Sequence, residues 1–200
     1  PSEELMAELI RLGKKDKSSL VRLTLASTLR RMPVNRRAEL AAALLSRSKD
    51  CDDHNLPLLV WYGLTPLADV DLPALVGLAK ECEWPTTRRF IARRITGEVE
   101  KQPRVLNSLL ELAADRSPEF QADVLAGMSE AFVGWRKAPQ PLAWEAFCAR
   151  IEASGDEKLS DKVRDLSALF GDGRALEELK RVALDKEADL AARKVALQTL

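Results

Sequence analysis

Apolar residues recur along the chain at the three- and four-residue spacing of one helix face. Within residues 17–32, the positions that follow this spacing are Leu20, Val21, Leu23, Leu25, Leu29 and Met32. This spacing predicts an amphipathic helix. We expect the helix to end at Met32, because a residue that precedes proline avoids the helical backbone conformation. No segment keeps a sustained alternation of apolar and polar residues, so we expect no strands.

Short helical segments follow one another over the rest of the chain, and many begin at an acid, a serine or a proline. Such residues are typical of the first turn of a helix. The predicted segments are 36–46, 52–64, 72–82, 88–95, 105–114, 120–135, 144–151, 159–170, 175–184 and a last one that begins at Asp189. Their short connections predict antiparallel helix pairs with a period of ~30–40 residues. Gly171, Asp172 and Gly173 indicate a turn between two of these helices.

Three places in the chain combine an acid near a helix start with an arginine about one turn later. They are Asp16 with Arg22, Asp161 with Arg164, and Asp189 with Arg193. We expect the acid to cap its own helix and the arginine to bond to an acid or a carbonyl of the neighbouring pair.

Several predicted helices are apolar on more than one face, as in residues 58–61, and therefore need neighbours on both sides. We predict an all-α fold over residues 1–200 as one domain: an α-solenoid, a superhelix of stacked antiparallel helix pairs. A closed helical bundle is the competing fold, but it would use fewer and longer helices.

The D…VR and D…RxxAL patterns resemble those of HEAT repeats. Residues 21–47, 52–67 and 88–95 resemble more closely the HEAT segment of large bacterial proteins described as membrane-bound dehydrogenases. In that group a β-propeller-like dehydrogenase region precedes the helical repeats, and a cytochrome c domain with a CxxCH motif follows them. The resemblance implies that the chain is a fragment of a larger, exported or periplasmic, haem-linked redox protein. The helical fragment would then be a spacer or docking platform.

The overall charge is balanced, with 31 lysines and arginines against 31 aspartates and glutamates. This balance argues against a surface dedicated to nucleic acid. No apolar run approaches the ~18 residues of a membrane span. Arginine doublets are the most prominent polar feature: Arg30–Arg31, Arg36–Arg37, Arg88–Arg89 and Arg93–Arg94. They fit either an anionic partner or ion pairs between repeats with Glu81, Glu83, Glu98 and Glu100, and we favour the ion pairs.

Signals for catalysis are weak. His54 is the single histidine, and it forms a CxxH pair with Cys51, but there is no second Cys/His pair to complete a metal site. No GxSxG motif and no phosphate-binding glycine loop is present. We therefore predict that the chain is not an enzyme and has no metal site and no cofactor.

We predict a non-catalytic protein–protein or inter-domain scaffold that is monomeric as a fragment. Its partners would be proteins or neighbouring domains of the parent chain, bound on the concave face that the second helices of the pairs form. Trp61 and Tyr62 are adjacent and cannot share a helix face, so Tyr62 is our candidate for an exposed recognition residue. The full set of candidate contact residues is His54, Asn55, Tyr62, Arg88 and Arg89.

A DNA-binding function is the alternative. Some HEAT-like proteins are DNA glycosylases that hold damaged duplex in the concave groove. That function would need a basic groove with an exposed tryptophan, for which Trp84 and the arginine doublets are the candidates. The zero net charge counts against it.

Overall fold

The computed structural model describes residues 1–171 and 173–200. The α-helices are α1 (Glu3–Lys15), α2 (Ser19–Thr28), α3 (Arg37–Leu45), α4 (Leu56–Leu64), α5 (Leu67–Val70), α6 (Leu72–Glu81), α7 (Pro85–Thr96), α8 (Pro103–Ala114), α9 (Pro118–Ala131), α10 (Trp144–Ser154), α11 (Glu157–Phe170), α12 (Gly173–Leu184) and α13 (Leu190–Thr199). The described part of the chain contains no strand, so the all-α prediction is confirmed. Asp172, in the predicted glycine-flanked turn, lies outside the described residues.

The structure adds α1, which the apolar pattern had not predicted. Ser2 accepts a hydrogen bond from the backbone N–H of Leu5 at the start of this helix, and Met6 is buried in the core. Because α1 precedes α2, the Asp16 pattern lies between the two helices of the first pair and does not open that pair. The predicted helix 120–135 was too long, since α9 ends at Ala131 and Gly134 has a left-handed φ of 85°.

Helices contact one another in two series. The first helices of successive pairs form one series, in the order α1, α3, α6, α8 and α10. The second helices form the other, in the order α2, α4, α7, α9, α11 and α13, and we call this series the second-helix layer. Each helix of the second-helix layer also contacts the first helix of its own pair.

A single apolar core runs through the paired helices. It begins with Met6 in α1 and continues without a break to Phe170 in α11. A smaller cluster holds the last pair, with Leu179, Ala183 and Ala196 packed against Ala168. Each central pair therefore buries apolar surface against the pair before it and the pair after it.

Two glycines let helices of the second-helix layer approach closely. A Cβ at Gly63 of α4 would lie 2.6 Å from Cβ of Leu29. A Cβ at Gly127 of α9 would lie 2.5 Å from the carbonyl oxygen of Arg89 and 2.7 Å from Cβ of Ala92, both in α7. The carbonyl oxygen belongs to the backbone and cannot rotate away as the end of a side chain can, so the absence of a side chain at Gly127 permits the α7–α9 spacing.

We expect Gly127→Ala to lower the free energy of unfolding by about 1–3 kcal/mol, because the new methyl group would force α7 and α9 apart. Gly77→Ala is the matched control. Gly77 lies inside α6 with no atom within 4 Å of an added Cβ. Alanine there should raise stability by about 0.5–1 kcal/mol. Urea unfolding of both variants checks the pair, and equal stabilities would contradict the close approach.

In four of the helix pairs, the fourth residue of the second helix carries a side-chain hydrogen-bond donor that links the two helices of the pair. The donor reaches back to a carbonyl at or near the end of the preceding helix, where carbonyl groups lack helical partners. The four bonds are Arg22 to Asp16 O at 3.1 Å, Arg88 to Cys82 O at 2.6 Å, Gln121 to Ala113 O at 3.2 Å and Arg193 to Ala183 O at 3.3 Å.

Two of these donors also bind the next pair. Arg22 makes two 2.6 Å bonds to the carboxylate of Asp50, which lies between α3 and α4. Arg88 donates to Asp123 of α9 at 2.6 Å. The predicted bond from arginine to a neighbouring pair is thus confirmed for Arg22. Arg164 forms an ion pair with Asp161 within α11.

We expect Arg22→Ala to lower the free energy of unfolding by about 3–5 kcal/mol, because the buried Asp50 carboxylate loses both hydrogen bonds to Arg22 and keeps the longer 3.4 Å contact with Nε of Arg47. The two side chains are only 6% and 8% exposed. Arg11→Ala is the control, since Arg11 forms an exposed pair with Glu8 in α1. Its loss should cost about 0–1 kcal/mol. Chemical denaturation measures both, and a small effect at Arg22 would refute the role of the buried pair.

Candidate functional site

A groove lies on the second-helix layer between α4, α7 and α9. Its volume is about 490 Å³, and it is lined by Leu58, Trp61, Tyr62, Phe90, Arg93, Arg94, Gly97, Glu130 and Ala131. We call it the α4–α9 groove. One wall is the exposed side of α4, where Leu58 is 39% and Tyr62 56% exposed. Residues four apart on a helix share a face, so these two side chains form one apolar strip.

The aromatic residues of the groove divide as the sequence predicted. Trp61 is half-buried and packs against the Phe90 ring of α7, with 5.6 Å between ring centroids. Tyr62, one residue further along α4, is exposed and lines the groove. Trp61 thus joins α4 to α7, while Tyr62 is free to contact another molecule.

Charged side chains border the apolar strip. Nε of Arg89 lies 3.2 Å from one oxygen of Glu130, and Nη1 of Arg93 lies 3.8 Å from the other. Two guanidinium groups therefore share one carboxylate. Arg94 is balanced differently, because it lies between Asp69 at 2.7 Å and Glu98 at 2.8 Å. Glu98 was a predicted partner for ion pairs between repeats, but its contact with Arg94 joins residues four apart at the end of α7.

A second depression lies next to the α4–α9 groove, beyond the end of α9. It has a volume of about 760 Å³ and is lined by residues 129, 132, 135–137, 165–166, 168–169, 171 and 198–200. Phe132 and Trp135 supply its aromatic surface, and Arg136 and Lys137 its positive charge. Burial raises the pKa of the Asp165 carboxyl above its usual range. The second-helix layer thus carries two adjoining concave regions that combine aromatic and basic residues.

His54 and Asn55 are exposed, but they do not line the groove. They lie just before α4, whereas Tyr62 is in its last turn, so about 10 Å of helix separates Asn55 from Tyr62. The acid that caps α4 is Asp53, whose carboxylate accepts hydrogen bonds from the N–H groups of Asn55 and Leu56. These bonds hold the pKa of Asp53 below its usual value. The structure therefore does not bring His54 and Asn55 together with Tyr62.

Arg88 is not the exposed contact residue that we expected. It is buried, with its guanidinium bound to Asp123 and to the carbonyl of Cys82. Burial raises the pKa of the Asp123 carboxyl, and the nearby charge of Arg88 opposes that rise. Arg89 is half-exposed beside the groove. Successive residues of a helix point about 100° apart around its axis. Arg88 can therefore be buried while Arg89 lies beside the groove.

Trp84 is fully buried, so it is not the exposed tryptophan on which the DNA-binding hypothesis relied. Its indole N–H donates to the carbonyl of Arg47 at 2.8 Å and joins the turn before α7 to the turn after α3. Its role in the described structure is to fix two helix pairs together.

The sequence did not single out Leu58, Phe90, Arg93 or Glu130 as site residues. Leu58 carried a usable signal, because it lies four residues before Tyr62 in a helix that is apolar on every side. Glu130 carried none, since its pairing with Arg89 and Arg93 depends on how closely α7 packs against α9.

Comparisons with models of known protein families, with curated proteins and with solved structures give no match. Within residues 1–171 and 173–200, no group of three or more histidine, cysteine, aspartate or glutamate side chains is placed to hold a metal ion. None of the helices in that part of the chain is both long enough and apolar enough to cross a bilayer.

We expect Cys82 to resist alkylation. Burial raises the pKa of its thiol to about 11, so the reactive thiolate is scarce at pH 8. The fold favours the neutral form of this thiol. The resulting contribution to the free energy of unfolding is complete at a pH below the ordinary thiol pKa and is lost as the pH rises through about 11. Burial also raises the pKa of the Cys51 thiol. Cys51 and Cys148 are nevertheless half-buried whereas Cys82 is buried, so iodoacetamide at pH 8, read by peptide mass spectrometry, should modify Cys51 and Cys148 first. Equal rates at the three sites would contradict this.

Proposed function

We propose that the chain is a non-catalytic scaffold for protein–protein or inter-domain contacts. The α4–α9 groove carries this proposal, because it presents Leu58 and Tyr62 to solvent on the second-helix layer. Aromatic residues and arginines are enriched in protein interfaces, and the groove has both.

We propose further that the fold is an α-solenoid of HEAT-like helix pairs. The two contact series support this, since stacked repeats contact their neighbours along the array. The repeated donor at the fourth residue of the second helices supports it as well.

The parent protein in this proposal is a bacterial, exported haem-linked redox protein, in which the helical part joins other modules. The similarity of residues 21–47, 52–67 and 88–95 to the HEAT segment of such proteins supports this assignment. The groove would then receive either a neighbouring domain of the same chain or a separate protein.

Site-specific photo-crosslinking in the source cells tests the scaffold function. Benzoylphenylalanine in place of Tyr62 should give crosslinks to a defined protein segment, which mass spectrometry identifies. The same residue in place of Leu142 is the control, since Leu142 is 92% exposed and lies outside the groove.

Crosslinks from position 62 that are absent from position 142 support a scaffold. A crosslink within the parent chain, or to a haem-binding protein, supports the redox assignment. Crosslinks to nucleic acid, or none to protein at either position, would contradict the proposed function.

A further inference from the structure

The α4–α9 groove combines an apolar strip with an uncompensated positive charge. We propose that it binds an acidic protein segment, whose apolar or aromatic side chain packs between Leu58, Tyr62 and Phe90 while a neighbouring carboxylate pairs with Arg93. This inference rests on the proposed scaffold function and specifies the chemistry of the partner.

The apolar side chains of the groove are exposed. Leu58 and Tyr62 stay in contact with water although they flank a concave surface with Phe90 at its base. Covering such side chains is favourable in proportion to the apolar area removed from water. Tyr62 adds a hydroxyl group that can keep a hydrogen bond at the edge of an interface.

The arginines of α7 supply the positive charge beside the groove. Glu130 faces both Arg89 and Arg93, so this group of three side chains carries one excess positive charge. The Arg93 side chain is 58% exposed, and its 3.8 Å separation from Glu130 is too long for a hydrogen bond. A guanidinium group presents five N–H donors, so Arg93 has donors left for a second carboxylate.

The charges of the groove favour a protein segment over nucleic acid. A phosphate backbone is held by several cations that neutralise successive phosphates. Here Glu130 lines the groove, and Asp69 and Glu98 already engage Arg94. Lys101 also lies 3.3 Å from Glu98, so the four cations and three carboxylates of these contacts leave one excess positive charge. That charge, beside an apolar strip, matches one carboxylate near one apolar side chain.

Selection of random twelve-residue peptides by ribosome display on the wild-type protein tests the inference. We expect the selected peptides to combine Asp or Glu with Trp, Phe or Leu a few positions away. Arg93→Glu should weaken their binding about tenfold, because it brings like charges together. Leu58→Ser should weaken it about tenfold through lost apolar contact. Fluorescence anisotropy measures each affinity, and circular dichroism verifies the fold of each variant.

Matched controls use residues outside the groove. Arg150→Glu alters an arginine of α10 that also has an exposed carboxylate partner, Asp115. Leu142→Ser alters an exposed leucine. Both should bind the selected peptides like wild type.

The inference would be overturned if no peptide were selected, if the selected peptides were basic, or if Arg93→Glu and Leu58→Ser bound them like wild type. It would also be overturned if a 20-base-pair DNA duplex, or a second copy of the protein, displaced the peptides from the groove. If the peptide experiment failed but position 62 still crosslinked to a protein, the scaffold function would stand and only the acidic partner would be refuted. Failure of both would refute the scaffold function too.

Discussion

The constraint on which four of the helix pairs depend is a bond from the fourth residue of the second helix back to the end of the preceding helix. Carbonyl groups at the end of a helix have no intrahelical partner, and burying them unpaired costs stability. Arg22, Arg88, Gln121 and Arg193 supply donors at this place in four pairs. Each donor fixes where its helix begins relative to the helix before it. The same bond therefore sets the angle of the turn and which faces of the two helices meet.

Two of these donors, Arg22 and Arg88, also bind the next pair. Arg22 and Arg88 each reach a carboxylate of the following pair, so the pairs stack with the second helices side by side. Gly127 then lets α9 lie directly against the backbone of α7. This close contact brings Glu130 to Arg89 and Arg93 and forms one side of the α4–α9 groove. The groove is a consequence of how the pairs are held together.

Much of the fold could be predicted from the apolar spacing and the helix-start residues. Short segments with prolines and acids at their starts are enough to predict helices and their order. The first helix was missed because α1 mixes Leu5, Leu9 and Leu12 with many charged residues, and only the structure shows Met6 as its buried residue. That omission shifted the predicted pairing by one helix at the start of the chain. The local pattern of residues predicts the helices well. How the helices pair depends on contacts between residues that are distant in the sequence.

The candidate site was predicted less well, and the arginine doublets show why. Arg88 and Arg89 are indistinguishable in sequence, as are Arg36 and Arg37. In each doublet one arginine is buried against carbonyl groups while its neighbour pairs with a carboxylate nearer the surface. Which member is buried depends on the first residue of the helix, and a shift of one residue reverses the assignment.

Sequence-based helix boundaries carry an error larger than that single residue. The charge that is available to a partner therefore cannot be counted from the arginines themselves. It can be counted only after the buried arginines have been assigned to the carbonyl groups and carboxylates that they satisfy. In this chain that assignment leaves Arg93, beside Leu58 and Tyr62, as the positive charge of the groove with donors to spare.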